Sequence, residues 1–148
     1  MRFVIQRVTS ARVDIDGQTK GSIGKGLAVL IGIGKGDDEA IADKLISKMI
    51  GLRIFADSEG KTNLDLSQVE GGLLLVSQFT LYADCKKGHR PSFTDACEPA
   101  RAEELYGYIV SKCSESVKNV GCGEFGADMQ VTLTNDGPFT IVLDSELL

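Results

Sequence analysis

An almost unbroken apolar run, residues 27–33, is the sequence feature that most restricts what this chain can fold into. Gly26 and Gly34 bound the run, and a short apolar stretch between glycines is typical of a strand buried on both faces. A second apolar run, residues 73–76, passes directly into a polar and aromatic segment, residues 77–80. Because a buried polar side chain costs about 1–3 kcal/mol unless it is hydrogen-bonded, a bound substrate is one candidate partner for that segment.

Two helices are predicted between the groups of strands. Asp37 or Asp38 can cap the first helix by accepting a backbone N–H. Its buried face repeats at helical spacing at Ile41, Leu45, Met49 and Leu52. Pro99 suits the start of the second helix because proline lacks the N–H that has no intrahelical partner there, and Lys112 is predicted near its end. The buried face of this second helix comprises Leu105, Ile109 and Cys113.

Strands make up most of the remaining predicted fold. Alternating and β-branched residues predict strands at 2–15, 18–23, 27–33 and 72–79, and at about 120–126, 128–135 and 138–144. A further short strand is predicted to begin at residues 53–55. Residues 57–71 are predicted to form a long loop. This order of strands and helices predicts an α+β protein with a strongly bent sheet or β-barrel-like core and two main helices. With 148 residues, we expect a single domain, residues 1–148.

Charge and cysteine content narrow the possible functions. The formal net charge of −5 argues against a broad nucleic-acid surface, which is normally basic. The densest basic segment is either a solvated loop or a local contact for phosphate groups, and it comprises Lys86, Lys87, His89 and Arg90. Four cysteines without a C-x-x-C pair, together with a single histidine, predict reduced thiols and no zinc site. We expect no metal and no cofactor.

The sequence gives no sign of a membrane partner. No apolar run approaches the roughly 18 residues that a membrane-spanning helix needs. Residues 1–7 are typical of a first strand rather than of a signal peptide, because they lack a long apolar core. We therefore expect a cytoplasmic protein.

The polar segment offers a hydroxyl and an amide for chemistry. If residues 73–82 form one strand, Ser77 and Phe79 share one face, whereas Gln78 and Thr80 share the other. One face can then join the core while the other lines a pocket that binds an ester carbonyl or a ribose hydroxyl. The alternative is a strand end whose polar groups are satisfied within the chain.

Two further interpretations concern a catalytic base and a phosphate loop. His89 is the only histidine that could serve as the base of a serine-type triad, and the alternative is an exposed loop residue. Gly32, Gly34 and Gly36 fit neither the Walker pattern nor G-x-G-x-x-G, so the sequence does not favour a phosphate-binding loop.

Gly137 and Pro138 precede the last apolar run, residues 141–143. An X–Pro bond is cis in about 5–6% of cases in folded proteins, and a cis bond usually serves a purpose. A glycine before the proline permits unusual backbone angles and the close approach of a ligand. A Gly-Pro pair at the start of a strand can thus present rigid backbone carbonyls to a ligand; the alternative is an ordinary turn that enters the last strand.

Three segments together resemble the D-aminoacyl-tRNA deacylase family: Ser-Gln-Phe-Thr-Leu at 77–81, Lys-Gly-His-Arg-Pro-Ser-Phe at 87–93, and Asn-Asp-Gly-Pro-Phe-Thr at 135–140. The start of the chain, with Gln-Arg-Val at 6–8, is similar too. The resemblance covers the whole chain and implies a homodimeric, β-barrel-like α+β fold. It also implies hydrolysis of the ester that joins a D-amino acid, or glycine, to the 3′ end of tRNA.

The resemblance implies roles for individual residues. Gly137 and Pro138 form a chirality filter, and the resemblance implies that the bond between them is cis, as we therefore predict. The filter enters the active site of the other subunit, where carbonyls capture the α-amino group and leave no room for an L side chain. The rest of the catalytic pocket comprises Ser77, Gln78, Phe79 and Thr80. Thr80 is one candidate nucleophile, but we favour a route assisted by the RNA 2′-hydroxyl because Thr80 has no evident base. The candidate tRNA contacts are Lys86, Lys87 and Arg90.

Two other functions stay open. One is a non-catalytic nucleic-acid-binding module of the same fold, for example at replication origins, although the acidic net charge disfavours it. The other is a dimer that binds free D-amino acids in the pocket beside Gly137 and Pro138. Salt-dependent binding of duplex DNA without hydrolysis would support the first, and tight binding of a free D-amino acid would support the second.

Overall fold

A computed structural model describes the whole chain, Met1–Leu148. Its strands are β1 (Arg2–Ile15), β2 (Gln18–Ile23), β3 (Gly26–Gly32), β4 (Phe55–Ala56), β5 (Thr62–Leu64), β6 (Gly72–Ser77), β7 (Val120–Cys122) and β8 (Gln130–Asp144). The α-helices are α1 (Glu39–Ile50) and α2 (Pro99–Ser116), and short 3-10 helices form at Phe79–Tyr82 and Ser145–Leu147. We call the first of these 3-10 helices the 79–82 turn.

The main sheet is organised around β1. On one side β1 pairs antiparallel with β8 along nearly its whole length; on the other side its first half pairs with β3 and its second half with β2. β6 then pairs in parallel with both β3 and β7. The sheet curls so far that β7 returns to β2, where a Cβ at Gly21 would lie 2.8 Å from the backbone nitrogen of Cys122. The predicted α+β class with a barrel-like sheet and two helices is therefore confirmed.

Two apolar clusters cover the two faces of this sheet. The larger cluster packs the sheet against both helices and includes Phe3, Leu27, Leu73, Leu45 and Leu105. The smaller cluster lies on the opposite face and comprises Val8, Ala11, Val13, Ile23, Ala28, Leu74 and Val76. Because Leu27 and Ala28 are adjacent in β3 but belong to different clusters, the prediction of a strand buried on both faces is confirmed.

Both predicted helices are present, with small differences at their ends. Asp38 caps α1, since its side chain accepts the N–H of Ile41 at 2.9 Å. The helix ends at Ile50, so Leu52 lies beyond it. α2 begins at Pro99 as predicted and continues past Lys112 to Ser116. No helix in the structure combines the length and the apolar character needed to cross a membrane.

Several strand boundaries differ from the sequence prediction. β6 ends at Ser77 rather than at residue 79, and the predicted loop at 57–71 contains β5, which pairs with β4. β4 itself begins at Phe55 instead of residue 53. The strand predicted at 120–126 ends at Cys122, because its partner β6 offers no paired residue beyond Leu75.

The strands predicted at 128–135 and 138–144 form one strand, β8. Its register against β1 pairs Val8 with Asn135 and Gln6 with Thr140. Residues 136–139 therefore lie outside the ladder of paired residues, opposite Arg7 alone. We call residues 136–139 the Gly-Pro bulge. The glycine and proline suggest a break between two strands, whereas pairing with β1 continues on both sides of the bulge.

Candidate active site

The polar segment leaves the sheet at the end of β6. The N–H of Gln78 still bonds to the carbonyl of Ile31 at 2.7 Å, as a last ladder contact. Beyond it the backbone coils into the 79–82 turn, with bonds from the N–H of Leu81 to Gln78 and from Ala83 to Thr80. Since a 3-10 helix has three residues per turn, the predicted alternation of faces through residue 82 is wrong.

The predicted catalytic side chains lie at the surface of the single chain. Ser77 and Gln78 are half-buried, whereas Thr80 is exposed and Phe79 is 57% exposed. The side-chain amide of Gln78 donates to the hydroxyl oxygen of Thr80. The amide therefore orients the hydroxyl and leaves its proton free to donate elsewhere. The expectation that these groups are buried and need a substrate as a partner is wrong for one chain alone.

Two glycines, one at the end of β3 and one just after it, allow the 79–82 turn to pack closely. A Cβ at Gly32 would lie 2.9 Å from the Cβ of Leu81, and one at Gly34 would lie 2.5 Å from the ring of Tyr82. Burial of that ring raises the pKa of Tyr82 above its ordinary value, so the phenol stays protonated at neutral pH and is not a base. These glycines serve packing, consistent with the absence of a phosphate-loop pattern.

The basic segment forms a loop closed at its base by two backbone hydrogen bonds between Asp84 and Ser92, at 2.7 and 3.0 Å. After the loop, Phe93 packs edge-on against Phe79 with ring centroids 5.0 Å apart. All the cationic side chains of the loop are exposed and none forms a salt bridge: Lys86, Lys87 and Arg90.

No base lies against Thr80. The exposed His89 forms no hydrogen bond with Ser77 or Thr80, so the structure does not assemble a serine-type triad. No three His, Cys, Asp or Glu side chains come together in a way that could hold a metal ion. A cavity of about 660 Å³ opens beside Tyr82 and Asp84, but the predicted catalytic side chains do not line it.

The Gly-Pro bulge is fixed at its base by Asn135. The Asn135 amide nitrogen donates to Gln6 and to Thr140, both at 3.0 Å, and its oxygen accepts the N–H of Phe139 at 2.8 Å. Gly137 and Pro138 are exposed, and the bond between them is cis, the isomer that the sequence analysis predicts. Gly137 has a φ of +135°, a conformation that an L residue rarely adopts.

Arg7 braces the bulge from β1. Its guanidinium donates to the carbonyl of Ile54 at 2.6 Å and to the carbonyl of Asp136 at 3.1 Å. The same group lies 4.5 Å from the ring centre of Phe139. Sequence reasoning did not assign Arg7 a role of its own. The available signal was a charged residue in a strand whose neighbours alternate between apolar and polar, but its partners are distant in sequence.

The two predicted parts of the site are held at different places along β1. Arg2 donates to the carbonyl of Leu81 in the 79–82 turn at 2.9 Å, whereas Arg7 holds the Gly-Pro bulge. These anchors are five residues apart on one strand, which corresponds to roughly 16 Å at about 3.3 Å per residue. The two segments are therefore anchored at separate points of β1.

Sequence comparison identifies the family to which these motifs belong. The D-Tyr-tRNA(Tyr) deacylase family model matches residues 4–144. The chain belongs to this family. A D-aminoacyl-tRNA deacylase from Thermosipho melanesiensis is 52% identical over 147 residues, covering 99% of this chain and 98% of the relative. One from Pasteurella multocida is 55% identical over 144 residues, covering 97% and 99%.

A solved structure extends the comparison to three dimensions. The structure described as c-Myc DNA Unwinding Element Binding Protein matches with a TM-score of 0.92 at 36% identity, covering 97% of this chain and 98% of that one. The deacylase family assignment confirms the resemblance inferred from the three sequence segments, all of which lie within the matched range. The chain thus belongs to a family of hydrolases that act on ester bonds.

Proposed function

We propose that this chain hydrolyses the ester bond of D-aminoacyl-tRNA and releases the free D-amino acid and the tRNA. The observation that carries the proposal is identity above 50%, over almost the whole chain, with proteins named D-aminoacyl-tRNA deacylase. The whole chain, residues 1–148, acts as one domain of this kind. The proposed site of action is the cytoplasm, where charged tRNA is used in translation.

The surroundings of Thr80 favour a substrate-assisted reaction. Thr80 accepts a hydrogen bond from Gln78 and has no base to take its proton. The ester of the substrate, by contrast, lies next to the ribose 2′-hydroxyl, which can promote attack on the ester carbonyl. In this mechanism the 79–82 turn orients the ester and the hydroxyl of Thr80 serves as a hydrogen-bonding group rather than as the nucleophile.

The start of the 79–82 turn supplies candidates for stabilising the developing negative charge. The first N–H groups of a helix have no intrahelical acceptor. Because the N–H of Gln78 already bonds to Ile31, the candidates are the N–H groups of Phe79 and Thr80. One oxyanion donor contributes about 2.7–4 kcal/mol to the lowering of the barrier, which makes a nucleophilic side chain unnecessary.

Gly137 and Pro138 would supply the chirality filter in a homodimer. Both are exposed, and within one chain the bulge is anchored roughly 16 Å along β1 from the anchor of the 79–82 turn. In the proposed dimer a second copy brings its bulge to the pocket, and the exposure of Gly137 and Pro138 supports this arrangement. There the backbone carbonyls bind the α-amino group and an L side chain clashes, so selectivity rests on exclusion. Glycine has no side chain to exclude, so glycine mischarged on tRNA-Ala is also a substrate.

The exposed cations of the basic loop suit the phosphates of the tRNA acceptor end. Lys86, Lys87 and Arg90 have no acidic partner within the chain and follow the 79–82 turn closely in sequence. A short single-stranded end needs only a few such contacts, which is compatible with the net charge of −5.

The test is deacylation of matched D-Tyr-tRNA and L-Tyr-tRNA by the purified protein, with and without EDTA. We expect rapid loss of the D ester alone, at a rate that EDTA does not change, since no metal site is needed. Equal and negligible loss of both esters would overturn the proposal. Loss that stops in EDTA would overturn the metal-independent mechanism while leaving the activity intact.

A second candidate function rests on the structural relative. The match to a protein described as binding a DNA unwinding element makes a non-catalytic nucleic-acid-binding module the alternative. Fluorescence anisotropy with labelled duplex DNA at several salt concentrations tests it. Salt-dependent binding of the duplex by a protein that does not hydrolyse D-Tyr-tRNA would favour this alternative.

A further inference from the structure

We propose that Arg2 is a positioning residue for the hydrolysis, because it fixes the Leu81–Tyr82 peptide, one residue beyond Thr80. The proposal rests on the function proposed above and on the placement of the catalytic surface at Gln78–Thr80. Arg2 itself does not touch the predicted catalytic side chains. It acts through the Leu81 carbonyl, to which its guanidinium donates at 2.9 Å.

Three contacts fix the Arg2 guanidinium in one orientation. Besides the bond to Leu81, its Nε donates to the carboxylate of Asp144 in β8 at 2.8 Å. Its central carbon lies 4.5 Å from the ring centre of Tyr82. A planar guanidinium held on two edges and one face has little freedom, unlike a lysine ammonium on a flexible stem.

Asp144 is itself held rigidly. Its side chain is 13% exposed and accepts the N–H of Glu146 at 3.0 Å in addition to the bond from Arg2. Burial alone would raise the pKa of this carboxyl, but the Glu146 N–H and the guanidinium outweigh that effect and hold it below the ordinary value. The carboxylate is therefore ionised at neutral pH, which keeps the contact with Arg2 charged on both sides.

Packing of Leu81 and Tyr82 against Gly32 and Gly34 holds the 79–82 turn against the sheet, but the hydrogen bonds within the turn are weak. Its own bonds are long: 3.3 Å from Leu81 to Gln78 and 3.1 Å from Ala83 to Thr80. The hydrogen-bond geometry of a 3-10 helix is also poorer than that of an α-helix. The carbonyl of Leu81 lies at the end of the turn, where carbonyls lack intrahelical partners. A charged donor from β1 therefore ties the turn to the strand pair that also carries the Gly-Pro bulge.

Steady-state deacylation of D-Tyr-tRNA tests the assignment with Arg2→Met, Arg2→Lys and a matched control, Arg12→Met. Arg12 stands on the same strand and also pairs through its Nε with a carboxylate, Asp14 at 2.9 Å, but holds no part of the site. For Arg2→Met we expect kcat to fall roughly 10- to 100-fold, the range for loss of a charged hydrogen bond. KM stays within about 2-fold because ground-state binding is unchanged.

The other two variants separate positioning from stability. Arg2→Lys can keep the ion pair with Asp144, so its melting temperature should be closer to the wild-type value than that of Arg2→Met. It cannot hold Asp144, Leu81 and the ring of Tyr82 together, so its kcat should stay low. Arg12→Met should keep the wild-type kcat. Added guanidinium should restore part of the kcat of Arg2→Ala, because Arg2 lines the cavity of about 660 Å³ and the vacated space opens into it.

Amide hydrogen exchange gives a readout that does not depend on activity. In Arg2→Met we expect faster exchange in residues 79–84, whereas β1 and β8 keep their protection. A wild-type kcat in Arg2→Met, or faster exchange spread over the whole sheet, would overturn the positioning role. An inactive wild-type protein would overturn the proposed function, which distinguishes the failure of that function from a failure of the Arg2 assignment alone.

Discussion

Replacing Arg7 by methionine tests how the Gly-Pro bulge is held. The Arg7 side chain is only 14% exposed, and its guanidinium donates a hydrogen bond at 2.6 Å to the carbonyl of the buried Ile54. Leaving that carbonyl without a donor costs about 1–3 kcal/mol. Loss of the cation–π contact with Phe139 adds about 0.5–1 kcal/mol. The exposed contacts with Asp136 contribute little, so the free energy of unfolding should fall by about 2–4 kcal/mol.

Urea unfolding measures this loss directly. A stability of about 5–15 kcal/mol is typical of a domain, so the Arg7→Met protein should remain folded with a lower denaturation midpoint. Arg7→Lys should be intermediate, because an ammonium can reach one carbonyl but cannot bridge Ile54 and Asp136. Arg12→Met, which removes an exposed ion pair of the same strand, should leave the midpoint unchanged.

The same variant also tests the chirality filter. Without the Arg7 contacts, the bulge no longer holds Gly137 and Pro138 in a fixed position. Displacements of about 1 Å change rates by about 100-fold. Discrimination between D-Tyr-tRNA and L-Tyr-tRNA should therefore fall by at least about 10-fold. Two results would refute this reasoning. One is an unchanged denaturation midpoint; the other is a destabilised protein that still rejects the L ester as well as the wild type.

Four further substitutions and one control probe other parts of the chain. Gly137→Ala, at a φ of +135°, should lower D-Tyr-tRNA deacylation by about 10-fold or more, whereas Gly107→Ala, in open space within α2, should not. Thr80→Ala should keep activity within about 10-fold, while a substrate ending in 2′-deoxyadenosine should not react. Lys87→Ala should reduce the slope of log affinity against log salt by about 0.7. Asp144→Asn should lower the melting temperature at pH 7. Because folding lowers the pKa of Asp144, that difference should shrink as the pH falls below about 4.

Local sequence signals predicted the elements whose boundaries are local. Pro99 begins α2 as proline suits a first helical turn, and Asp38 caps α1 through its own side chain. The double burial of β3 follows from its continuous apolar run. In each case the interaction or residue property that forms the element lies within the element itself, so the local sequence is enough to predict it.

The features that the sequence did not predict depend on distant partners. The 79–82 turn replaces a strand because Leu81 and Tyr82 pack against Gly32 and Gly34, some fifty residues earlier. The sequence of residues 73–82 contains no pattern that predicts contact with those two glycines. The anchoring contact of Arg2 likewise joins a first strand to a segment far away in the chain. Motif resemblance indicated the candidate site, whereas the contacts that hold its segments in place required the structure.

The pairing of β1 with β8 also has a consequence for the order in which the site forms during synthesis. β1 emerges from the ribosome well before β8, since more than a hundred residues separate the starts of the two strands. Residues 77–80 are therefore made long before Asp144 and Asn135, on which the anchoring of the two site segments depends. A nascent chain lacking β8 holds the predicted catalytic side chains without their fixed geometry, so the proposed deacylation should begin only once β8 has been added to the sheet.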